Sequence, residues 1–220
     1  FNYRNMFPNV NKNPIGSINY FCAHDNLIFE DKLQKSVGDI PQINDMTKLA
    51  FGIILTAEGI PFFHAGNEFR RNKKMCENSY CSPYSLNEID WRNKEKHFEL
   101  FNYVKELIEL RKKHRVFRLE DASEVLEKVT LIDSKNENVI ISLCNNGDEI
   151  LLCIYHNGWE KTEIPWNIIL ENMGVREIIT NIIFDKNGNV YNKNNIHIKE
   201  CDNEVIELSP ISLTIFKIKG

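Results

Sequence analysis

Apolar residues recur along the first half of the chain in two alternating rhythms. Ile18 to Ala23 (I-N-Y-F-C-A) is a short, aromatic-rich run that ends abruptly at His24-Asp25-Asn26, the pattern of a buried parallel strand giving way to a loop. Met46, Leu49, Ala50, Ile53, Ile54 and Ala57 then fall at spacings of three and four, which predicts an amphipathic helix capped by Asn44 or Asp45 and stopped by Gly59. Ile60 to Ala65 (I-P-F-F-H-A) predicts a second short strand ending at Gly66, with Phe62 and Phe63 in the core and Pro61 tolerated near the strand's start. Gly66 to Trp91 is polar and turn-rich, a long loop of the kind that carries function. A second helix is expected from about Lys94 to His114, with Phe98, Phe101, Val104, Leu107, Ile108 and Leu110 inward and a basic cluster at its negative C-terminal end.

From Val116 to Ser123 the pattern changes, and the remainder of the chain reads as short strands. Candidates are Val125 to Asp133, Val139 to Cys144, Glu149 to His156, Ile178 to Phe184, Val190 to Asn192, Ile196 to Lys199, Val205 to Leu208 and Leu213 to Ile218. Asn145-Asn146-Gly147-Asp148 and Lys186-Asn187-Gly188-Asn189 are hairpin signals. Strand, helix, strand, helix with short connections is the unit of a parallel α/β fold, and strands this short and apolar suit a TIM-type barrel. A complete barrel has eight strands in about 250 residues, so two units make its last quarter. The expected fold is therefore the last two β/α units of a TIM-type barrel in residues 1–118, followed by an antiparallel β-sandwich in residues 119–220.

Composition narrows the classes of partner. Of the 220 residues 42% are hydrophobic and 26% charged, with net charge −4, and Lys and Arg are dispersed, which leaves no nucleic-acid footprint. The longest apolar run, Leu49 to Thr56, is far below the roughly 20 residues of a membrane span. A start at Phe1 with no leader pattern is expected of an excised piece. The six cysteines form neither C-x-x-C nor a Cys/His group at zinc spacing, so free thiols and no metal are expected, with a bridge or metal at Cys76 and Cys81 as the alternative. Of the tryptophans, Trp159 and Trp166 suit sugar stacking, although one of them is expected to be structural.

A chemical reading comes from ordered segments. Asn19-Tyr20-Phe21-Cys22-Ala23-His24-Asp25-Asn26-Leu27, with Asp31-Lys32-Leu33 after it, resembles the last sequence signature of the α-amylase family of glycoside hydrolases in its type I pullulanase version. Gly59 to Phe69 (G-I-P-F-F-H-A-G-N-E-F) resembles that family's eighth barrel strand, and Asn78-Ser79-Tyr80-Cys81-Ser82-Pro83, Asn87-Glu88-Ile89-Asp90-Trp91 and Leu107-Ile108-Glu109-Leu110-Arg111 match in order. A His-Asp pair alone is more often a turn or a helix cap than a site; the ordered set is what lifts it out of that class.

The resemblance implies a retaining hydrolase of α-1,6 linkages in pullulan, branched dextrins or glycogen, working without a cofactor. Such enzymes use a carboxylate nucleophile and a carboxylic acid proton donor. By resemblance Asp25 is neither; it matches the third acid, which stabilises the transition state. His24 matches an imidazole on the sugar being cleaved; Asn26 is expected to bond a neighbouring sugar, and Asn78 and Tyr80 lie on a loop expected to shape an adjacent subsite. Glu68 is given no catalytic role, and Arg70, Arg71, Lys73 and Lys74 read as a solvated charge run. Nothing before Ile18 resembles the segments carrying the nucleophile and donor, so the chain alone is expected to be inactive and its partner to be the missing N-terminal part of the same enzyme. An isoamylase-like or glycogen-debranching hydrolase, and a non-catalytic carbohydrate-binding or structural fragment, are the competing readings.

Overall fold

Two short strands, β1 (Ile18–Asn19) and β2 (Ile60–Pro61), lie parallel with Ile18 beside Ile60 and Asn19 beside Pro61. They belong to a computed structural model that describes residues 13–188 and 195–219. Both strands are shorter than the expected runs of 18–23 and 60–65, because each pairs on one side among the described residues and the ladder stops where the chain bends away after Asn19 and Phe62. Between them lie helix α1 (Phe29–Val37) and helix α2 (Ile43–Thr56). No apolar period announces α1, since its buried first-turn residues are Glu30 and Asp31. On α2 the expected stripe is displaced: Ile53 is exposed, whereas Phe51, Ile54 and Leu55 are buried. The helix is covered on two sides. Phe51 packs edge-on against Phe21 and Phe63, and Gly52 lies so close to the last strand, β10 (Ser212–Lys219), that a Cβ there would come 2.8 Å from Leu213 Cδ2. Phe62, expected in the core, instead projects outward beside Tyr20.

Short helices α3 (Tyr84–Asn87) and α4 (Arg92–Lys96) precede α5 (Phe98–Lys113). The helix expected from Lys94 is broken at His97, whose φ of −115° and ψ of 37° are non-helical. Phe98 is consequently exposed, and α5 buries Leu100, Tyr103, Val104, Leu107 and Leu110. The expected strand Val125 to Asp133 is also corrected. Asp121 accepts the N–H of Ser123 at 2.7 Å and caps helix α6 (Ala122–Lys128), which leaves only β3 (Val129–Ile132) extended.

Beyond β3 come β4 (Val139–Asn145), β5 (Ile150–His156), β6 (Thr162–Pro165), helix α7 (Trp166–Met173), β7 (Glu177–Phe184), β8 (Ile196–Lys199), β9 (Val205–Leu208) and β10. Strands β3-β4-β5-β10-β7-β8 form one antiparallel sheet in that order, and β6 pairs with β9. The strand expected at Val190 to Asn192 lies outside the described residues. Leu151, Cys153, Leu213 and Ile215 pack on Leu49, Leu55, Leu100 and Leu107 of α2 and α5. On the other face Leu152, Ile154, Phe216 and Ile218 meet Ile164, Ile169, Leu170, Ile206 and Leu208. The large sheet is thus buried on both faces in a sandwich-like arrangement, which explains why β5 (I-L-L-C-I-Y-H) is apolar almost throughout rather than alternating. Each fully buried leucine, Leu107 and Leu213 among them, contributes about 1.5–3 kcal/mol.

The turn from α2 into β2 is closed by Arg111. Its guanidinium donates to the carbonyls of Leu55 (2.9 Å), Ala57 (2.7 Å) and Gly59 (2.7 Å); the first two are acceptors that the end of α2 leaves without intrahelical partners, and the third lies in the turn that follows. Gly59 has φ 97°, and a Cβ on it would sit 2.9 Å from the Ser17 carbonyl oxygen, so the residue combines a left-handed turn with close passage of β1. Beside it, Glu58 accepts the N–H of Leu119 at 2.7 Å; burial, only partly offset by that bond and by Arg111, pushes its carboxyl up to about 7.

This turn has two measurable consequences. Arg111→Lys should lower stability by about 2–4 kcal/mol in urea unfolding, because one ammonium cannot span three carbonyls; a loss below about 0.5 kcal/mol would contradict the capping role. For Glu58, the folded chain retains a proton that the unfolded chain releases between pH 4.5 and about 7. Its stabilising contribution is therefore complete below pH 4.5 and is lost as pH rises to 7. Thermal unfolding across that range should show Glu58→Gln gaining on the wild type as pH rises, and parallel curves would refute the shift.

Candidate active-site rim

Leaving β1, the chain passes through Phe21, which packs between Phe29 and Phe51, and buried Cys22, and then surfaces at His24 and Asp25. Those two side chains are 81% and 78% exposed, with His24 Nε2 and Asp25 Oδ1 3.4 Å apart. Asn26 is exposed and left-handed at φ 62°, a conformation asparagine tolerates better than most residues. The bend returns the chain inward at Leu27 and Ile28, and α1 starts with Ile28 at the cap position and no side-chain cap. Asp25 therefore stands three residues ahead of the helix cap.

His64 follows β2 as His24 follows β1. Burial first, then the charges of Arg71, Lys73 and His24, hold His64 below the ordinary histidine range. The Arg71 guanidinium approaches His64 Nε2 at 3.5 Å and donates to the Ala65 carbonyl at 3.1 Å. It also donates to the carbonyl of Asn87 across the loop. Asn67, almost fully buried, donates to Cys22 Sγ at 2.9 Å and joins the two strand exits from beneath. Glu68 accepts the N–H of Gly66 at 2.8 Å and anchors the turn.

Asn78 and Tyr80 both lie in the loop 66–91, exposed, on either side of buried Ser79. Tyr80 is 84% exposed, and Tyr84 (79%) and Trp91 (65%) in the same loop are exposed as well. Ser79 is held by Lys73 Nζ on its hydroxyl and by Asn87 Nδ2 on its carbonyl, each at 2.7 Å. The described geometry thus joins His24, Asp25 and Asn26 in one exposed bend and Asn78 and Tyr80 in a second segment, tied to the exit of β2 through Arg71 and Lys73.

The reading of Arg70 to Lys74 as a solvated charge run is corrected. Arg71 and Lys73 are buried, and Arg70 forms a two-point contact with Glu30 at 2.6 and 3.0 Å. The signal in the sequence is an acidic pair, Glu30-Asp31, matched by a basic group one strand later. Trp166 is buried against Phe216, whereas Trp159 is 55% exposed. A cavity of about 660 Å³ lies elsewhere, between the β7–β8 and β9 regions, lined in part by Trp166, Ile198, Asn203 and Phe216. All six cysteines are free thiols, Cys76 and Cys81 included.

No protein-family model matches the chain. In sequence it is 36% identical over 185 residues to the pullulanase of Bacillus subtilis (strain 168), an alignment covering 77% of this chain and 25% of that protein. It is also 37% identical over 84 residues to the chloroplastic pullulanase 1 of Arabidopsis thaliana, which covers 36% of this chain and 8% of that protein. In structure it superposes on the type I pullulanase of B. subtilis str. 168 complexed with maltose at TM-score 0.82 and 29% identity, over 95% of this chain and 28% of that one. The pullulanase of Anoxybacillus sp. LM18-11 complexed with maltotetraose gives TM-score 0.78 and 29% identity, over 94% and 28%. The chain spans about a quarter of the length of the Bacillus subtilis and Anoxybacillus pullulanases. Sequence and structure agree that this chain is a pullulanase homologue, corresponding to a C-terminal region of those proteins.

Proposed function

We propose that the chain is the C-terminal part of a retaining α-glucan debranching hydrolase that cleaves α-1,6-glucosidic linkages in pullulan, branched dextrins or glycogen. In this reading residues 1–118 complete a TIM-type barrel and residues 119–220 form its C-terminal β-sandwich domain. The observation that carries it is that His24-Asp25 and the 66–91 loop follow the C-terminal ends of two short parallel strands, a few residues beyond each. Barrel enzymes assemble their sites on that face. The outward face of the pair supports the same view: Ile18, Tyr20, Ile60 and Phe62 are 43–60% exposed, and parallel sheets are ordinarily covered on both faces. The glucan is suggested by the maltose and maltotetraose complexes of the related pullulanases.

Mechanistically, the glycosidic bond breaks through an oxocarbenium-like transition state, served by two carboxyl groups about 5–5.5 Å apart. Those two groups belong to the N-terminal part of the enzyme. Asp25 is the third acid: its negative charge holds sugar hydroxyls and favours the positive charge that develops on the distorted ring. His24 hydrogen-bonds the same sugar, Asn26 a neighbour, and Asn78 and Tyr80 shape an adjacent subsite. Contacts of this kind accelerate the reaction by being stronger in the transition state than in the ground state.

Reducing-sugar release from pullulan tests the assignment. The purified chain should release none. The whole enzyme should turn over and lose about 10²–10³ of its rate on Asp25→Ala or Asp25→Asn, because the amide keeps the shape but not the charge. Robust turnover by the chain alone, or a fully active Asp25→Asn enzyme, would overturn it.

A further inference from the structure

Helix α1 buries two acids where an amphipathic helix would bury leucines, and both face the loop beyond β2. Asp31 is 1% exposed, and a single oxygen, Oδ2, accepts the backbone N–H of Lys73 (2.9 Å) and of Met75 (3.2 Å). Lys74 and Met75 adopt φ of 50° and 62°, a left-handed turn built without glycine that relaxes unless it is held. Lys73 is thereby fixed at its backbone by Asp31, while its ammonium, also buried, reaches Ser79 Oγ at 2.7 Å. Ser79 is the inward residue between exposed Asn78 and Tyr80. Hydrogen bonds at the two ends of Lys73 therefore link Asp31 to the residue that lies between both proposed sugar contacts. Next to it, Glu30 clamps Arg70 and Lys32 donates to the Phe21 carbonyl at 3.1 Å, so α1 is pinned to both strand exits.

We propose that Asp31 is a positioning residue for glucan binding: without touching the sugar, it sets the presentation of Asn78 and Tyr80 through Lys73 and Ser79. The inference rests on the reading of Asn78 and Tyr80 as glucan contacts. It gives the Asp31-Lys32-Leu33 segment a physical task, since an acid at this place supplies the acceptor that a glycine-free left-handed turn requires. Because one oxygen takes both amides, an asparagine can satisfy them with its carbonyl and an alanine cannot. The pattern expected of variants is therefore specific.

The experiment is steady-state kinetics on pullulan with the whole debranching enzyme carrying this chain, accompanied by thermal unfolding of each variant. Asn78→Ala and Tyr80→Ala establish whether the loop binds glucan and should each raise KM. Asp31→Ala should raise KM about tenfold with kcat within about twofold, as loss of binding that is equal in ground and transition states requires. Asp31→Asn should stay within about threefold of the wild-type KM. Ser79→Ala, which leaves Asp31 intact, should reproduce the KM effect, and Asp31→Ala combined with Tyr80→Ala should be no worse in KM than the poorer single variant. If Asp31→Ala does not fold, Ser79→Ala and Asp31→Asn carry the decision. A KM raised by Asn78→Ala and Tyr80→Ala but unmoved by Asp31→Ala and Ser79→Ala, with only the melting temperature lowered, would overturn the positioning role. A KM unmoved by Asn78→Ala and Tyr80→Ala would defeat the glucan reading of the loop and this inference with it.

Discussion

Arg111, 7% exposed, donates through its guanidinium to three carbonyls between the last turn of α2 and β2 and so sets the direction in which the chain enters β2. The arrangement at the strand exits depends on that direction. With Gly59 turned left-handed, Ile60 N–H reaches the Ser17 carbonyl at 2.8 Å and Phe62 N–H reaches that of Asn19 at 2.9 Å, which brings the end of β2 beside the end of β1. Arg111 in turn is delivered by α5, and α5 is held by the same apolar cluster that packs α2 against β5 and β10. Burial of the large sheet on both faces, a non-directional force, is thus converted into a directional one at a single charged side chain.

Charge at the strand exits is arranged in layers. Apart from the exposed His24-Asp25 bend, Arg71 and Lys73 are buried in the loop after β2, near a histidine, His64, whose surroundings disfavour its protonated form. Farther in, Glu30 and Asp31 face the basic group from α1. Burying Asp31 raises its pKa, and the two backbone amides it accepts pull the other way, so the acid is compatible with its position only while the loop is in place. The loop and the helix therefore stabilise one another.

Elements are legible in the sequence wherever one physical signal dominates. Strands β4, β5 and β10 and the Asn145 to Asp148 hairpin stand out because long apolar runs broken by turn residues have few other readings. Helix α2 is visible through its spacing, although its exposed side is not, because both of its flanks are covered. Helix α1 is hidden, since its inward residues are acids held by cross-loop hydrogen bonds. Helix α7 is hidden as well, because Pro165 and Trp166 at its start are equally at home in a strand edge. The bend at His24 and Asp25 is legible only through the ordered resemblance. Arg71 and Lys73 look like surface residues because a basic run carries no sign of burial until its acidic partners are located.

A crystal structure of the whole enzyme with maltotetraose bears most directly on the central claim. A glucosyl unit is expected with its hydroxyls about 2.7–3.2 Å from the Asp25 carboxylate and His24, and the oligosaccharide passing Asn78 and Tyr80. An oligosaccharide bound productively with Asp25 and His24 facing bulk solvent would contradict it.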